Sequence, residues 1–297
     1  MLDPEALVSR GLVVNAYRNI DEVRSDRDFE SRTKNRLEHA ASLLRACRDG
    51  PVLFRCAVHG GYSALQLRTR EPALIDWRED AICPECGINA RMRLGIVLLD
   101  AACASIQSPA IYLTEQASFT WLAARKLWPQ VVGSEFFADL ERTTVLANFV
   151  RESTGDPQLQ IRIEDLTALG FSDRCFDAVG SFDVLEHVPD YRRALRECAR
   201  VLRPGGRLVL SAPFDMAGER NVLRAQLRED GSVEHLLAPE YHADSISPDG
   251  VLCFHHFGWE LLEDCRSAGF SDASYLVAWS PIQALLGPQL GMLVAQR

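Results

Sequence analysis

"FDAVGSFDVLEHVPDYRRALRECARVLRPGGRLVLSAPF", residues 176–214, decides the fold of this 297-residue chain. The apolar run at 176–185 predicts a buried strand. The stretch 191–202 predicts a helix, because its apolar residues recur at helical spacing. Pro204-Gly205-Gly206 ends that helix, and residues 207–213 predict the next strand. Strand, helix and strand in this order are typical of a parallel sheet covered by helices.

The segment before it repeats the pattern. "PAIYLTEQASFTWLAARKLWPQVVGSEFF", residues 109–137, predicts a strand, a helix and a second strand that ends at Glu135. This is the layout of a nucleotide-binding βαβ half. Residues 158–166 predict a third strand. After a helix near 258–268, residues 273–279 and 291–296 predict an antiparallel hairpin at the sheet edge.

The rest of the chain divides around this α/β region. Residues 1–50 predict an N-terminal helical segment, with a long helix over 21–48. Residues 51–104 predict a small module of turns followed by a linking helix from about Asn89. Residues 105–297 form the α/β domain, and within it the irregular stretch of about 214–250 predicts a lid-like insert.

Composition narrows the functional classes. A net charge of −9 argues against nucleic acid as a partner, since such proteins usually carry a basic surplus. The sequence has no run of about 18 apolar residues, so it predicts no membrane span. The first residues lack the pattern of a signal peptide, so we expect a cytoplasmic protein. Nine cysteines in such a compartment indicate reduced thiols or metal ligands.

Four of these residues have metal-ligand spacing. Cys56 and His59 are separated by two residues, as are Cys83 and Cys86. Two such pairs are typical of a closed tetrahedral zinc site, which would stabilise a module with few apolar residues. The alternative is that the four are unrelated small residues in a cysteine-rich chain.

The stretch 176–214 also carries a family resemblance. Its "DVLEHVPD" turn, its "RVLRPGG" segment and its closing Pro-Phe pair resemble class I S-adenosylmethionine-dependent methyltransferases of the type-11 group. The resemblance implies an α/β fold with a doubly wound, seven-stranded Rossmann-like sheet, carrying here a small N-terminal helical and zinc-knuckle module. It also implies methyl transfer from S-adenosylmethionine to a small molecule or a glycan. Two alternatives are a non-catalytic protein that keeps this fold for binding or scaffolding, and, more weakly, a nicotinamide-dependent dehydrogenase. The lack of a G-x-G-x-x-G motif argues against the dehydrogenase.

The resemblance indicates where the cofactor binds. Glu135, at a strand end, has the geometry to accept hydrogen bonds from the two ribose hydroxyls. By resemblance, Asp165 accepts from the adenine amino group and Leu166 supplies a neighbouring backbone contact; a capping role for Asp165 is the competing interpretation. The end of the next strand adds Ser181, Phe182 and Asp183 to the predicted set.

The loop after the first strand lacks the glycines that the family usually has there. Instead it offers Thr114, Glu115, Gln116 and Ser118, as in a branch of zinc-knuckle methyltransferases that the sequence resembles. The cofactor carries an ammonium and a sulfonium but no phosphate. We therefore expect side chains of this loop to bind its amino-acid end, with Glu115 pairing with the positive charge.

Histidines supply the catalytic candidates. His187 follows the strand at 176–185, and His256 lies in a segment that resembles the active-site mouth of the family. A structural capping role is the alternative for His187. Tyr241 and His242 in the insert are candidate contacts of the methyl acceptor. Arg91 and Arg93 after the zinc motif are expected either to face an acidic substrate group or to be solvated.

Overall fold

The computed structural model describes residues 2–69, 71, 74–136, 140–242 and 250–297. Residues 243–249 of the predicted insert, and residues 70, 72 and 73 of the predicted knuckle module, lie outside this range. The α-helices are α1 (Pro4–Ser9), α2 (Ile20–Ser25), α3 (Phe29–Asp49), α4 (Ala90–Ala102), α5 (Phe119–Leu127), α6 (Leu140–Thr154), α7 (Tyr191–Val201) and α8 (Glu260–Ser267). The strands are β1 (Val13–Tyr17), β2 (Leu53–Arg55), β3 (Tyr62–Ala64), β4 (Gln66–Leu67), β5 (Ala81–Ile82), β6 (Ile111–Leu113), β7 (Val132–Gly133), β8 (Phe176–Phe182), β9 (Leu202–Ser211), β10 (Val222–Leu223), β11 (Ala225–Leu227), β12 (Val233–His235), β13 (Tyr241–His242), β14 (Val251–Leu252), β15 (His255–His256), β16 (Asp272–Trp279) and β17 (Gly291–Gln296).

The main sheet has seven strands in the order β1-β16-β17-β9-β8-β6-β7. The four strands from β9 to β7 are parallel, and β17, β16 and β1 continue the sheet antiparallel. The α/β fold class and the seven-stranded sheet predicted from sequence are therefore confirmed. Strand β8 is buried at every residue, because it lies between two parallel neighbours and is covered by helices on both faces.

Two strand predictions were wrong. The stretch 158–166 forms no regular strand and pairs only through one parallel bridge, between Glu135 and Ile163. The seventh strand comes instead from the segment predicted to be helical, where Val13–Tyr17 pairs antiparallel with β16. The C-terminal hairpin of β16 and β17 therefore lies inside the sheet and not at its edge.

The knuckle region shares a core with the sheet. Helix α4 is buried along nearly its whole length and packs on β8 and β9. Cys56 and Cys83 belong to the same buried cluster as Leu94 and Leu98 of that helix. By contrast, α3 buries only Arg36 and Ala40. Loss of structure in the knuckle will therefore disturb the core of the whole domain.

The insert predicted at 214–250 contains short two-stranded ribbons. Strand β11 pairs with β12, β13 pairs with β14, and β10 pairs with β15. These ribbons carry His242 and Leu252 toward the end of β8, where Glu186 and His187 lie. No helix in the described part of the chain is long and apolar enough to cross a membrane.

Candidate active site

The carboxyl ends of β6, β7 and β8 meet at one edge of the sheet. The residues that follow them are the loop 114–118, Ser134 with Glu135, and Asp183. The bridge between Glu135 and Ile163 adds the 163–166 segment beside them. Since open α/β sheets bind ligands at this edge, the structure brings the predicted cofactor residues to one place.

The loop 114–118 is held by side chains instead of by glycines. Glu135 Oε1 accepts hydrogen bonds from the backbone N–H groups of Gln116 (2.8 Å) and Ala117 (2.6 Å). The Gln116 side chain donates to the carbonyl oxygen of Gln160 and accepts from the N–H of Arg162. Of the described non-glycine residues, none in this loop has a positive φ. Its backbone therefore does not need glycine.

Other predicted cofactor residues of this loop also have partners within the protein. The Thr114 hydroxyl donates to Ser181 Oγ at 3.1 Å, and both side chains are buried. Ser118 caps α5 by accepting from the N–H of Trp121 at 3.0 Å. These contacts make Thr114, Ser118 and Ser181 structural parts of the cofactor edge. Their predicted contact with the cofactor stays a prediction.

Glu115 is different, because its carboxylate is incompletely paired. Its Oε1 atom is buried and has no hydrogen-bond partner among the described residues. Burial raises the pKa of Glu115 to about 7; the hydrogen bond from Ser118 opposes this shift, and the nearby Glu135 charge adds to it. A buried acceptor without a partner is costly unless a ligand supplies a donor. Glu115 therefore fits a cationic group.

Asp183 and Arg91 form a network that the sequence did not predict. Arg91 is buried, and its guanidinium contacts Glu79 with two hydrogen bonds, at 2.6 and 3.1 Å. It also pairs with Asp183 Oδ2 and donates to Ser211 Oγ at 3.2 Å. Both expectations for Arg91 were wrong, since the arginine faces two protein carboxylates. In the sequence, Arg91 lies two residues after the helix-capping Asn89, and nothing in that position indicates its two carboxylate partners.

Asp183 is also strained. Its φ is +53°, a left-handed conformation that is uncommon for residues other than glycine, although aspartate tolerates it better than most. Ser211 holds it through a side-chain hydrogen bond at 2.9 Å and a backbone hydrogen bond at 2.9 Å. Backbone strain of this kind is common at functional sites.

Asp165 makes a local contact with Thr167 but caps no helix. Its Oδ1 accepts from both the N–H and the hydroxyl of Thr167, at 2.8 Å each, in a turn that precedes no helix. The carboxylate is exposed beside Glu135, and Leu166 after it is buried. The adenine contact stays a prediction, because this turn leaves the carboxylate at the same edge.

Arg93 is buried as well, so solvation was the wrong expectation for it. Its guanidinium donates to the carbonyl oxygens of Ala81 and Ala284, at 3.3 and 3.1 Å, and lies 4.6 Å from the ring centroid of Phe54. The arginine thus connects α4 to the knuckle and to the turn at Pro281–Gln283.

The four predicted metal ligands come together. Cys56 Sγ lies 3.9 Å from Cys86 Sγ, and Cys83 Sγ lies 3.4 Å from His59 Nδ1. All four donor atoms lie within 4.8 Å of one another. Two sulfurs on a tetrahedral zinc ion, each about 2.3 Å from the metal, are about 3.8 Å apart.

The two pairs also have the same backbone geometry. A glycine with positive φ follows each pair, Gly60 at +78° and Gly87 at +75°. In each, the glycine N–H donates to the carbonyl oxygen of the first cysteine, at 3.0 and 2.8 Å. These matched turns distinguish the cluster from four unrelated residues. The sequence already carried this sign, since a glycine follows both Cys-x-x-His and Cys-x-x-Cys.

The predicted catalytic histidines lie beside the insert. His187 Nδ1 is 2.8 Å from the carbonyl oxygen of Leu252, and its Nε2 is 3.7 Å from Glu186. His256 Nε2 is 2.9 Å from Glu240 Oε1. Both ring nitrogens of His187 therefore already face protein groups, whereas His256 is oriented by a carboxylate through only one of them.

Two candidate acceptor contacts were predicted in the same ribbon. Tyr241 is exposed, in agreement with an accessible role, and His242 is half-buried between Glu186 and Glu240. Cys253, in the same segment as His256, is fully buried.

Part of the chain is similar to known proteins. Residues 119–210 match the family model described as a methyltransferase domain. The chain is 28% identical over 177 residues to the methyltransferase GfsG of Streptomyces halstedii, covering 59% of this chain and 55% of that protein. It is 37% identical over 86 residues to a ubiquinone biosynthesis O-methyltransferase of Xanthomonas oryzae, covering 29% of this chain and 35% of the relative. The chain thus matches about half or less of the length of these relatives.

The S-adenosylmethionine-bound amino pentose methyltransferase CalS10 of Micromonospora echinaspora aligns with a TM-score of 0.45 at 20% identity, over 70% of this chain and 91% of that one. The family match spans α5 to β9, which includes the "DVLEH" turn, and Glu135 and Asp183 lie within it at the carboxyl edge of the sheet. Residues 119–210 are thus similar to a methyltransferase domain, and similarity to a methyltransferase extends over 177 residues.

Proposed function

We propose that this protein transfers the methyl group of S-adenosylmethionine to an oxygen, nitrogen or carbon nucleophile of a small molecule or a glycan. The observation that carries the proposal is the unpaired, buried Oε1 of Glu115 at the carboxyl edge of the sheet. The net charge of −9 supports an acceptor that is not a polyanion.

The cofactor fits the residues at this edge. When bound, S-adenosylmethionine supplies a methyl group made electrophilic by the adjacent sulfonium. Glu115 accepts from or pairs with its cationic amino-acid end, which satisfies the orphaned oxygen. Glu135 accepts from the ribose hydroxyls, and it also holds the loop through the N–H groups of Gln116 and Ala117. Glu135 thus couples the shape of the loop to the ribose site.

The protein's main contribution is to align the reacting groups and exclude water. His256 is the better-placed general base, because its Nε2–H donates to Glu240 and leaves Nδ1 to accept a proton. Arg224 contacts the other oxygen of Glu240 at 3.0 Å. The hydrogen bond from His256 contributes most to lowering the pKa of Glu240, so this carboxylate stays ionised.

We further propose that Cys56, His59, Cys83 and Cys86 bind one structural zinc ion. The support is the tetrahedral spacing of their donor atoms and the matched glycine turns. Burial of two of the thiols makes the site closed, with no position for a substrate.

Replacing Glu135 with alanine tests the cofactor site. We expect Glu135→Ala to weaken S-adenosylmethionine binding by about 1.5–3 kcal/mol, the range for a lost hydrogen bond to a charged group. Glu135→Gln should lose less, because an amide oxygen can still accept from the loop N–H groups. Asp165→Ala should also cost less, since the adenine edge can bond to water. Calorimetric titration with S-adenosylmethionine measures each change.

Glu38→Ala is the matched control for this series. Glu38 lies on α3 with its side chain 65% exposed, so its loss should leave cofactor affinity unchanged. An unaltered affinity in a folded Glu135→Ala protein would refute the ribose assignment. No binding by the wild-type protein would refute the proposed methyl transfer.

Cofactor affinity should also depend on pH through Glu115. Burial raises the pKa of Glu115 to about 7, so near pH 5.5 the carboxyl is protonated and neutral. A cationic ligand favours the ionised form, so binding releases a proton and affinity rises with pH until the free-protein pKa is passed. Between pH 5.5 and 7 we expect the affinity for S-adenosylmethionine to rise about tenfold. Calorimetry measures this affinity, and repeating it in buffers of different ionisation heat measures the released proton.

Glu115→Gln separates this effect from other titrating groups. The variant cannot ionise, so its affinity should be low and nearly constant over the same pH range. A wild-type affinity that does not change between pH 5.5 and 7 would contradict the pairing of Glu115 with the cationic end of the cofactor.

A further inference from the structure

A second group of metal-ligating side chains lies beside the end of β8. Glu186, in the 3₁₀ turn Leu185–His187, is fully buried, and neither of its carboxylate oxygens has a hydrogen-bond partner among the described residues. Two histidines face it: His187 Nε2 at 3.7 Å and His242 Nδ1 at 3.4 Å, both measured to Glu186 Oε1. A buried carboxylate without donors is costly unless a cation neutralises it.

The tautomers of the two histidines are fixed by their outer partners. His187 Nδ1 lies 2.8 Å from the carbonyl oxygen of Leu252, which can only accept, so Nδ1 carries the hydrogen. His242 Nε2 lies 3.1 Å from Glu240 Oε1, a carboxylate that also accepts. In the neutral rings, the nitrogens that face Glu186 are therefore the ones with lone pairs. In this neutral state, three electron-pair donors converge with no hydrogen between them.

The distances distinguish metal coordination from hydrogen bonding. Separations of 3.4 and 3.7 Å are long for hydrogen bonds between nitrogen and oxygen. Two ligands that each lie about 2.1 Å from a metal are about 3.4 Å apart at the tetrahedral angle. We propose that Glu186, His187 and His242 bind a divalent transition-metal ion. Two histidines and one carboxylate that leave open positions are a known ligand set for such ions.

The outer contacts match those of metal-binding histidines. Such histidines usually donate their other N–H to a carbonyl or a carboxylate, which fixes the ring orientation. Here Leu252 and Glu240 supply these two acceptors. Leu252 and His242 belong to the paired strands β14 and β13, so one ribbon of the insert provides both a ligand and an orienting carbonyl. A bound ion would fasten this ribbon to the end of β8.

The adjoining group of Glu240, His242, Cys253 and His256 is a competing location for the ion. Its nitrogen–oxygen separations of 3.1 and 2.9 Å are those of ordinary hydrogen bonds. Cys253 donates to the carbonyl oxygen of His255 at 3.2 Å, so its thiol proton already has an acceptor. These residues therefore form the hydrogen-bonded surroundings of the proposed site. A second competitor is a proton on His242 that bridges Glu186 and Glu240.

Cobalt titration of the full-length, zinc-loaded protein tests the proposal. We expect one Co²⁺ to bind per chain with a visible absorption spectrum that lacks the thiolate charge-transfer band of a cysteine site. Glu186→Gln and His242→Ala should each weaken this binding at least about 100-fold. His235→Ala, an exposed histidine on the neighbouring strand β12, is the matched control and should bind Co²⁺ normally.

Three results would overturn the proposal. Zinc-loaded protein that binds no Co²⁺ would favour the bridging proton. A thiolate band that disappears in Cys253→Ser would place the ion in the adjoining group. Unchanged Co²⁺ affinity in a folded Glu186→Gln or His242→Ala protein would exclude these ligands. Because His242 lies in a surface ribbon, the His242→Ala variant keeps the test valid if Glu186→Gln fails to fold. Titration of the same samples with S-adenosylmethionine tests the proposed methyl transfer separately, because the metal site does not depend on it.

Discussion

Replacing Cys83 with serine should abolish zinc binding and destabilise the whole domain by more than about 4 kcal/mol, since lost metal sites are among the few single changes with so large an effect. Cys83 is fully buried, with Sγ 3.4 Å from His59 Nδ1. It belongs to the core cluster that includes Leu94 and Leu98 of α4. Urea unfolding followed by far-ultraviolet circular dichroism measures the loss.

The effect should extend beyond the knuckle because of Arg93. This buried guanidinium contacts the carbonyl oxygens of Ala81, next to the knuckle, and Ala284, in the connection between β16 and β17. Burial lowers the pKa of Arg93, and the nearby Cys56, Cys86 and Cys83 thiolates oppose that shift. Three thiolates and a histidine on a zinc ion leave one net negative charge, which Arg93 offsets.

Cys103→Ser is the matched control. Cys103 is also a buried cysteine, 4% exposed, but it follows α4 and lies outside the metal-ligand group. Its replacement should cost about 1 kcal/mol and leave the zinc content unchanged. Protein prepared without chelators under reducing conditions should contain about one zinc per chain by elemental analysis. A preparation without zinc, or equal effects of the two substitutions, would remove the structural zinc proposal.

The sequence predicted the parallel half of the sheet well for a physical reason. Strand β8 is buried at every residue because both of its faces are covered, and α7 buries the face that its spacing indicated, including Tyr191 and Cys198. Local periodicity reports burial directly in such elements. The helix predicted over 21–48 is divided into α2 and α3, and only its C-terminal end was predicted closely, since α3 ends at Asp49 just before Gly50.

The sequence failed where burial depends on distant partners. Val13–Tyr17 is short and only partly buried, and it becomes a strand because β16 offers an edge more than 250 residues away. The stretch 158–166 alternates like a strand but pairs at a single bridge, Glu135 with Ile163. Tertiary pairing decides both cases, and no local pattern encodes it.

The same distinction between local patterns and distant partners applies to the candidate site. Glu135 and Asp183 were found because they end strands, a position that the chain order reveals. Gln116 joins the loop to Gln160 and Arg162. This role could not be predicted, because both partners lie more than 40 residues away in the sequence. The same is true of Arg91, because one partner, Glu79, precedes it in the sequence and the other, Asp183, follows it far along the chain.

Arg91 should therefore be among the most consequential residues whose contacts the sequence did not predict. Replacing it with methionine leaves the carboxylates of Glu79 and Asp183 without their shared cation in a buried setting. Breaking a buried ion pair in this way typically costs about 3–5 kcal/mol. We expect Arg91→Met to lose that much stability in urea unfolding. Arg24→Ala, which removes an exposed pair with Glu219, should lose less than about 1 kcal/mol.

The same change should also weaken the cofactor site, because Arg91 holds Asp183 in its strained conformation. With φ at +53°, Asp183 keeps its position only through Arg91 and the two hydrogen bonds with Ser211. Asp183→Asn keeps the Ser211 hydrogen bonds but loses the charge that pairs with Arg91, so it should reduce S-adenosylmethionine affinity less than Arg91→Met does. If both variants fold and bind the cofactor as tightly as the wild type, the network is structural only. If Arg91→Met alone loses affinity, the arginine acts by positioning Asp183 at the carboxyl edge of the sheet.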